Sequence, residues 1–307
     1  MYLATGADAE KLPSSWPKYL VRLCGGMNDV RSLQLGERAR QLEGTEHAEN
    51  CSEAAHVSFT PDFYLGDRAM RESGYDISFR FGPFGGSTHH YAPVDLNTLI
   101  YKEEKDLQQI ATILGKSADA QHWSQRAEAR REAMNRYMWD ETKRMYFDYD
   151  FMRQRKSGYV FVTTFYPMWA GIPSPQQAQQ LMQNLNVFEE LGGLVESRND
   201  VKVQWEWPWG WAPSQLLSLE GMRHYGFEVD ANRASSKFLD TVLQNFRREK
   251  TIREKYNVVT GSSEAEIQAG YKQNVVGFGW TNGVFLVLLK DLPQEAKATL
   301  GTRAVPH

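Results

Sequence analysis

Residues 94–115 read VDLNTLIYKEEKDLQQIATILG. Leu96, Leu99, Ile100, Leu107, Ile110 and Leu114 recur at spacings of three, four and seven, which is one face of an α-helix and not the alternation of a strand. Asp95 stands where acidic residues favour a helix start, and Gly115 supplies the stop. The expectation is a helix that turns this apolar stripe toward a core.

The pattern continues on the C-terminal side. Trp123, Ala127, Met134, Tyr137 and Met138 repeat it. Ser174 followed by Pro175 reads as an N-cap with proline at the first helical position, and Ala178, Leu181, Met182 and Leu185 give that helix its buried side. Leu216, Leu219 and Met222 mark another helix, ended near Gly226, and Ala231, Ala234, Phe238, Val242 and Phe246 the next. The apolar run Gly283–Leu289 stays open between buried helix and strand, because short runs carry no decisive period. Tyr146–Asp150 (YFDYD) reads as a short extended piece. Long loops rich in Gly, Pro and aromatics lie between, at Gly82–Pro93, Gly192–Pro213 and Val258–Trp280. Helices that carry the scaffold and loops that carry the polar groups make an all-α protein.

Composition narrows the class. The 307 residues are 41% apolar and 24% charged, enough for a core and a solvated surface. Lys plus Arg is 35 against 38 for Asp plus Glu, a net charge of −3, so no basic footprint for nucleic acid or anionic membrane is expected. The longest apolar run falls far short of the ~20 residues that span a bilayer. The N-terminus MYLATGADAEK lacks the charged-then-apolar pattern of a secretory signal. Two cysteines, Cys24 and Cys51, support neither a disulfide framework nor a zinc site by themselves. The expectation is a soluble, cytoplasmic protein. Residues 1–58 hold no long helical face and no motif, residues 59–292 form the helical region, and 293–307 a tail.

Four segments could carry chemistry. In DRAMRESGYDISFR, residues 67–80, Asp67, Arg68, Arg71, Glu72, Asp76 and Arg80 gather around a Ser-Gly turn. A carboxylate held beside Gly74 and Tyr75 can be desolvated and kept protonated, as a general acid must be; the alternative is a solvated helix end. In VQWEWPWGWAPSQ, residues 203–215, Trp205, Trp207 and Trp209 enclose Glu206. Indole faces pack on sugar C–H surfaces, so this reads as a sugar platform with a polar handle, against an aromatic loop that seals a core. In REKY, residues 253–256, Glu254 has a cation on each side, which suits an ionised general base, against a surface ion pair. GFGWTNG, residues 277–283, combines close-approach glycines with Trp280 and Asn282, but no G-x-G-x-x-G follows a strand and no dinucleotide site is supported. His89 and His90 are adjacent, hence expected to point apart, with no carboxylate at ligand spacing on a helix, so neither metal nor cofactor is expected. No nucleophile elbow or papain-like cysteine context is present. Two distant carboxylates and a tryptophan loop fit glycoside hydrolysis.

These motifs, with YAPVDLNTLIYKEEKDL (91–107) and EKYNVV (254–259), resemble trehalases of glycoside hydrolase family 37. The tryptophan segment is similar to the family pattern QW(D/E)xPxGWAP, and DRAMRESGYD is most like the fungal-type neutral trehalases and their bacterial relatives. The resemblance covers roughly Phe59–Leu289. It implies an (α/α)6 toroid and inverting hydrolysis of α,α-trehalose to two glucose molecules, with no cofactor. Carried over, Asp76 is the general acid, Glu254 the general base and Gly74 a backbone contact to substrate, with Arg71, Trp205, Glu206 and Trp209 in the sugar site. The family's further substrate-binding glutamate lies in a GGGGEY segment; here SSEAEIQAGYKQNVV (262–276) has no glycine run, and Glu264 or Glu266 stands in its place.

The family's first signature, PGGRFxExYxWD, has no counterpart here. Twelve helices of about 15 residues with their loops need well over this length, and periodicity marks about seven or eight. The expectation is the C-terminal part of a toroid, incomplete at its N-terminal side, with apolar helix faces left exposed. Two further readings stand beside the first: a related (α/α)6 hydrolase acting on another α-glucoside or α-mannoside, and a truncated, inactive trehalase-like protein. The trehalase reading expects carboxyl oxygens ~6.5–9.5 Å apart across one cavity.

Overall fold

The computed structural model describes residues 61–82, 85–264 and 274–302. Helix α1 (Pro61–Glu72) leads through a loop to a 3-10 turn (Thr88–His90) and strand β1 (Tyr91–Ala92). The hairpin α2 (Val94–Ile113) and α3 (Ser117–Tyr137) follows, then four two-residue strands, β2 (Trp139–Asp140), β3 (Met145–Tyr146), β4 (Tyr149–Asp150) and β5 (Arg155–Lys156). A second 3-10 turn (Val162–Phe165) opens α4 (Tyr166–Ala170), α5 (Pro175–Met182) and α6 (Leu185–Phe188). Strands β6 (Glu189–Glu190), β7 (Gly193–Leu194) and β8 (Trp209–Trp211) precede the hairpin α7 (Ala212–His224) and α8 (Glu228–Glu249). Strand β9 (Lys255–Asn257) and helices α9 (Gly279–Asp291) and α10 (Gln294–Ala298) complete the described chain. The expected segment 1–58 lies outside the described residues.

Helical hairpins organise the molecule. Helix α2 packs on α3 and α4, and α7 on α4, α8 and α9. Short antiparallel ladders, β1-β4-β5, β2-β3, β6-β7 and β8-β9, tie down the loops between them. Gly115, at φ +71°, turns the chain from α2 to α3 in a left-handed conformation that glycine adopts without steric cost. Ser174 forms a full capping box: its side chain accepts from Gln177 N, and the Gln177 side chain accepts from the Ser174 N–H. The Gly283–Leu289 run is helical, with Thr281, Val284 and Leu288 buried. The all-α expectation holds, and the extended reading of 146–150 is met by β3 and β4.

The buried face of α2 differs from the expected one. Ile110 is 51% and Ile113 74% exposed, and Leu99 and Leu114 are also exposed. The side turned inward carries Val94, Asp95, Asn97, Thr98, Tyr101, Glu104 and Ala111. The polar face is buried because its partners wait there. Arg130 of α3 places two nitrogens on Glu104, each at 3.0 Å, and a third on Asn97 at 2.9 Å. Asp95 receives Arg80 at 2.6 Å. A buried carboxylate is tolerable only with such compensation. Leu286 and Val287 of α9 likewise face outward, and Phe246, expected in the core, is exposed at the end of α8. None of the helices described is long and apolar enough to cross a membrane.

Candidate active site

The site is assembled around residues 204–211. Helix α1 ends in a turn where Ser73 Oγ donates to Met70 O at 2.5 Å and accepts from Tyr75 N at 3.2 Å. Gly74 follows at φ +82°, exposed and with open space about its Cα. Tyr75 then turns inward, its hydroxyl 3.1 Å from that of Tyr166, and Asp76 emerges half-buried at the loop's apex. Burial pushes the Asp76 carboxyl up, the Glu254 charge adds to this, and Arg71 and Lys255 oppose it. An elevated carboxyl is what proton donation to a leaving group requires.

Residues 76–79 are clamped from the tryptophan segment. The Gln204 side-chain amide donates to Asp76 O, and Trp205 N donates to Ile77 O at 3.4 Å. Glu206 Oε1 accepts from Ser78 Oγ at 2.8 Å and from Phe79 N at 2.9 Å, and its Oε2 accepts from Ser197 Oγ. The same segment then becomes β8, which pairs antiparallel with β9 in the register Trp209↔Asn257, Gly210↔Tyr256 and Trp211↔Lys255. Glu254 immediately precedes that ladder. One stretch of eight residues, 204–211, therefore holds the acid loop at one end and the Glu254 strand at the other.

Glu254 is buried, and Lys255 Nζ donates to its Oε2 at 2.6 Å. The Lys255 ammonium also lies 4.5 Å from the Trp211 ring centre, a cation over an electron-rich face. Burial pushes the Lys255 amine down, against the pull of Glu254 and Asp76. Trp211 stacks on Trp205 at 3.8 Å and 8°, and Trp205 meets the Tyr75 ring at 4.8 Å. Trp280 stands edge-on to Trp211 at 5.8 Å, and Thr281 Oγ1 donates to Glu254 O at 3.2 Å. All four motif segments thus meet, with the Asp76 loop and the Glu254 strand held by the two ends of one stretch.

Several expected site residues have other work. Glu206 is fully buried and spends one oxygen on the Asp76 loop and the other on Ser197, so it positions that loop and offers no handle to a sugar. Trp209 and Trp205 belong to the core with Trp211; for these rings the core-sealing alternative describes the structure, because both are buried and Trp205 is spent on Trp211 and Tyr75. Arg71 pairs with Asp67 at 3.0 Å and reaches Asp76 only through its charge. Arg253 turns to Glu249 at 2.8 Å, so Lys255, not a cation on each side, serves Glu254. Glu264 is exposed, and Glu266 lies outside the described residues. The two histidines do not diverge: their rings lie 4.0 Å apart and both face Asp62 of α1, 27 and 28 residues away in sequence. That separation hides the carboxylate from any reading of local spacing.

Other residues of the site escaped the sequence. Glu196, in LGGLVESR (191–198), is fully buried, accepts from Trp211 N at 3.1 Å and from Ser214 Oγ at 2.9 Å, and is pushed up to about 8, mainly by burial. Arg80, named by the sequence but without its partners, is buried between Asp95 and Asp148; burial opposes its charge, but the two carboxylates prevail and raise it further. Its place directly after the apolar pair Leu194 and Val195 is the only local hint for Glu196.

The sequence matches the family described as Trehalase over residues 28–293. The chain belongs to the trehalase family. The match begins inside the segment that the motifs left unassigned. The cytosolic neutral trehalase of Kluyveromyces lactis is 33% identical over 283 residues, 83% of this chain and 37% of that relative. That of Emericella nidulans is 34% identical over 277 residues, 78% of this chain and 36% of the relative. The solved neutral trehalase from Saccharomyces cerevisiae superposes with a TM-score of 0.67 at 32% identity, covering 78% of this chain and 44% of that one. A mannosylglycerate hydrolase from Thermus thermophilus shares the fold at a TM-score of 0.52 and 23% identity. The chain spans less than half the length of the trehalases it matches.

Proposed function

We propose that this chain hydrolyses α,α-trehalose to two glucose molecules with inversion, Asp76 acting as general acid and Glu254 as general base. The observation that carries the reading is the single segment 204–211, which clamps the Asp76 loop through Gln204 and Glu206 and pairs with the Glu254 strand through β8. The elevated Asp76 carboxyl retains a proton for the glycosidic oxygen. Glu254 takes a proton from water as the water attacks the anomeric carbon from the opposite face. Lys255 balances the carboxylates between these steps. Gly74 lets the backbone approach substrate at the exposed turn, and Arg71 tunes Asp76. Membership of a family whose relatives bear the name cytosolic neutral trehalase supports the substrate and a cytoplasmic location.

The test is glucose release from α,α-trehalose by the purified chain beside Asp76→Asn and Glu254→Gln. Activity in the parent, lost by at least about a hundredfold in each variant, with α- and β-glucose appearing in equal amounts by early-time NMR, supports the reading. A folded parent that releases no glucose, or variants that keep parental rates, overturns it. The same assay with other α-glucosides and α-mannosides addresses the related-hydrolase alternative.

A further inference from the structure

A second cluster lies away from the carboxylates. Asp62 sits in the first turn of α1, and the 12 residues of that helix, at about 1.5 Å rise each, put some 15 Å of helix between it and the acid loop. His89 Nε2 is 2.8 Å and His90 Nε2 3.1 Å from the same oxygen, Asp62 Oδ1. The three atoms all lie within 4.8 Å of one another. Zinc bound tetrahedrally by imidazole nitrogen and carboxylate oxygen, at about 2.0–2.2 Å each, needs ligand atoms about 3.3 Å apart. The two nitrogen-to-oxygen sides, 2.8 and 3.1 Å, are close to that spacing, and the third lies within 4.8 Å.

The backbone around the cluster is held in place. Gly66 of α1 lies so close to the turn that a Cβ there would come within 2.0 Å of Gly86 O. Helix and turn are therefore in backbone contact, one turn of α1 from Asp62. His90 N donates to Ser87 O at 2.9 Å, Thr88 Oγ1 to Gly85 O at 2.6 Å, and Phe151 N to His90 O at 3.1 Å. The turn runs directly into β1, paired with β4. His89 is buried, His90 half-buried and Asp62 exposed, so the ligand triangle has its protein side closed and its carboxylate side open to water.

We propose that Asp62, His89 and His90 bind one Zn2+ ion, with water completing the coordination, and that the ion fastens α1 to the 88–90 turn. The test is calorimetric titration of ZnCl2 into the untagged full chain after EDTA treatment, with thermal unfolding followed in parallel. The expected result is one saturable equivalent whose affinity falls by roughly tenfold or more in Asp62→Asn and in His90→Gln. At the same zinc concentration the Tm of the parent should rise by more than that of Asp62→Asn. Asp62 is a surface side chain, so its variant keeps the fold, checked by far-UV circular dichroism. No saturable binding by the parent overturns the proposal, and so does equal affinity in the parent and both variants, which would place the ion on other residues.

Discussion

Ser78 and Glu206, 128 residues apart in sequence, are joined by a 2.8 Å hydrogen bond in which the serine hydroxyl donates to a fully buried carboxylate. The tryptophan-rich loop is thereby a brace for the Asp76 loop. Its one acid acts on backbone and hydroxyl groups two and three residues beyond Asp76, and its indoles fill the space between that loop and β9.

Glu206→Ala leaves the Ser78 hydroxyl, the Phe79 N–H and the Ser197 hydroxyl without their acceptor, at about 1–3 kcal/mol for each buried group that water cannot reach. Urea unfolding should show a loss of about 2–5 kcal/mol. Glu206→Gln keeps an acceptor oxygen and should stay within about 1 kcal/mol of the parent. Because Glu206 acts through Asp76, kcat for trehalose should fall in the alanine variant with KM little changed.

Lys255→Met strands the buried Glu254 carboxylate. Breaking a buried ion pair from one side costs about 3–5 kcal/mol, so the urea midpoint should drop sharply. Arg253→Met removes a partly exposed partner of Glu249 and should cost about 1 kcal/mol. Equal losses in the two variants would show that Lys255 is not the cation that matters for Glu254.

Glu196 binds its proton more tightly in the folded chain than in the unfolded one, being pushed up from 4.5 to about 8 by burial and by Glu206. The unfolded chain releases that proton near pH 4.5, and the folded chain holds it until about 8. Its contribution to stability is therefore full below pH 4.5 and declines as pH rises to about 8. Glu196→Gln, which cannot ionise, should gain on the parent as pH increases across that window, by on the order of a few kcal/mol at the upper end. Thermal melts of both proteins at pH 5, 6, 7 and 8 check this; a constant difference would contradict it.

The two faces of α2 should respond in the opposite sense to hydrophobic expectation. Ile110→Lys, on an exposed position, should leave stability within about 0.5 kcal/mol and reduce concentration-dependent association seen by size-exclusion chromatography. Glu104→Ala, which uncovers buried Arg130, should cost about 3–5 kcal/mol. Chemical denaturation of the two variants decides the point.

Helix α2 also shows what the sequence could and could not convey. Its length and its end at Gly115 follow from local rules, since backbone hydrogen bonding and glycine's left-handed turn act within a few residues. The same holds for the Ser174–Pro175 cap and for the end of α7 just before Gly226. Which face of α2 is buried was not legible, because Glu104 and Asp95 enter the interior only when Arg130 and Arg80 meet them there. Leucine and isoleucine spacing carries no record of those partners.

The motifs carried Asp76 and Glu254 as the acid and base of the family pattern, along with the helical class. Only tertiary structure assigned Glu206 to the Asp76 loop, Lys255 instead of Arg253 to Glu254, the indoles to the core, and Asp62 to the two histidines. A short-range pattern fixes where a segment folds, because its hydrogen bonds close locally. The protonation and role of a side chain depend on burial and on charges brought from elsewhere in the chain, and those exist only once the hairpins have packed.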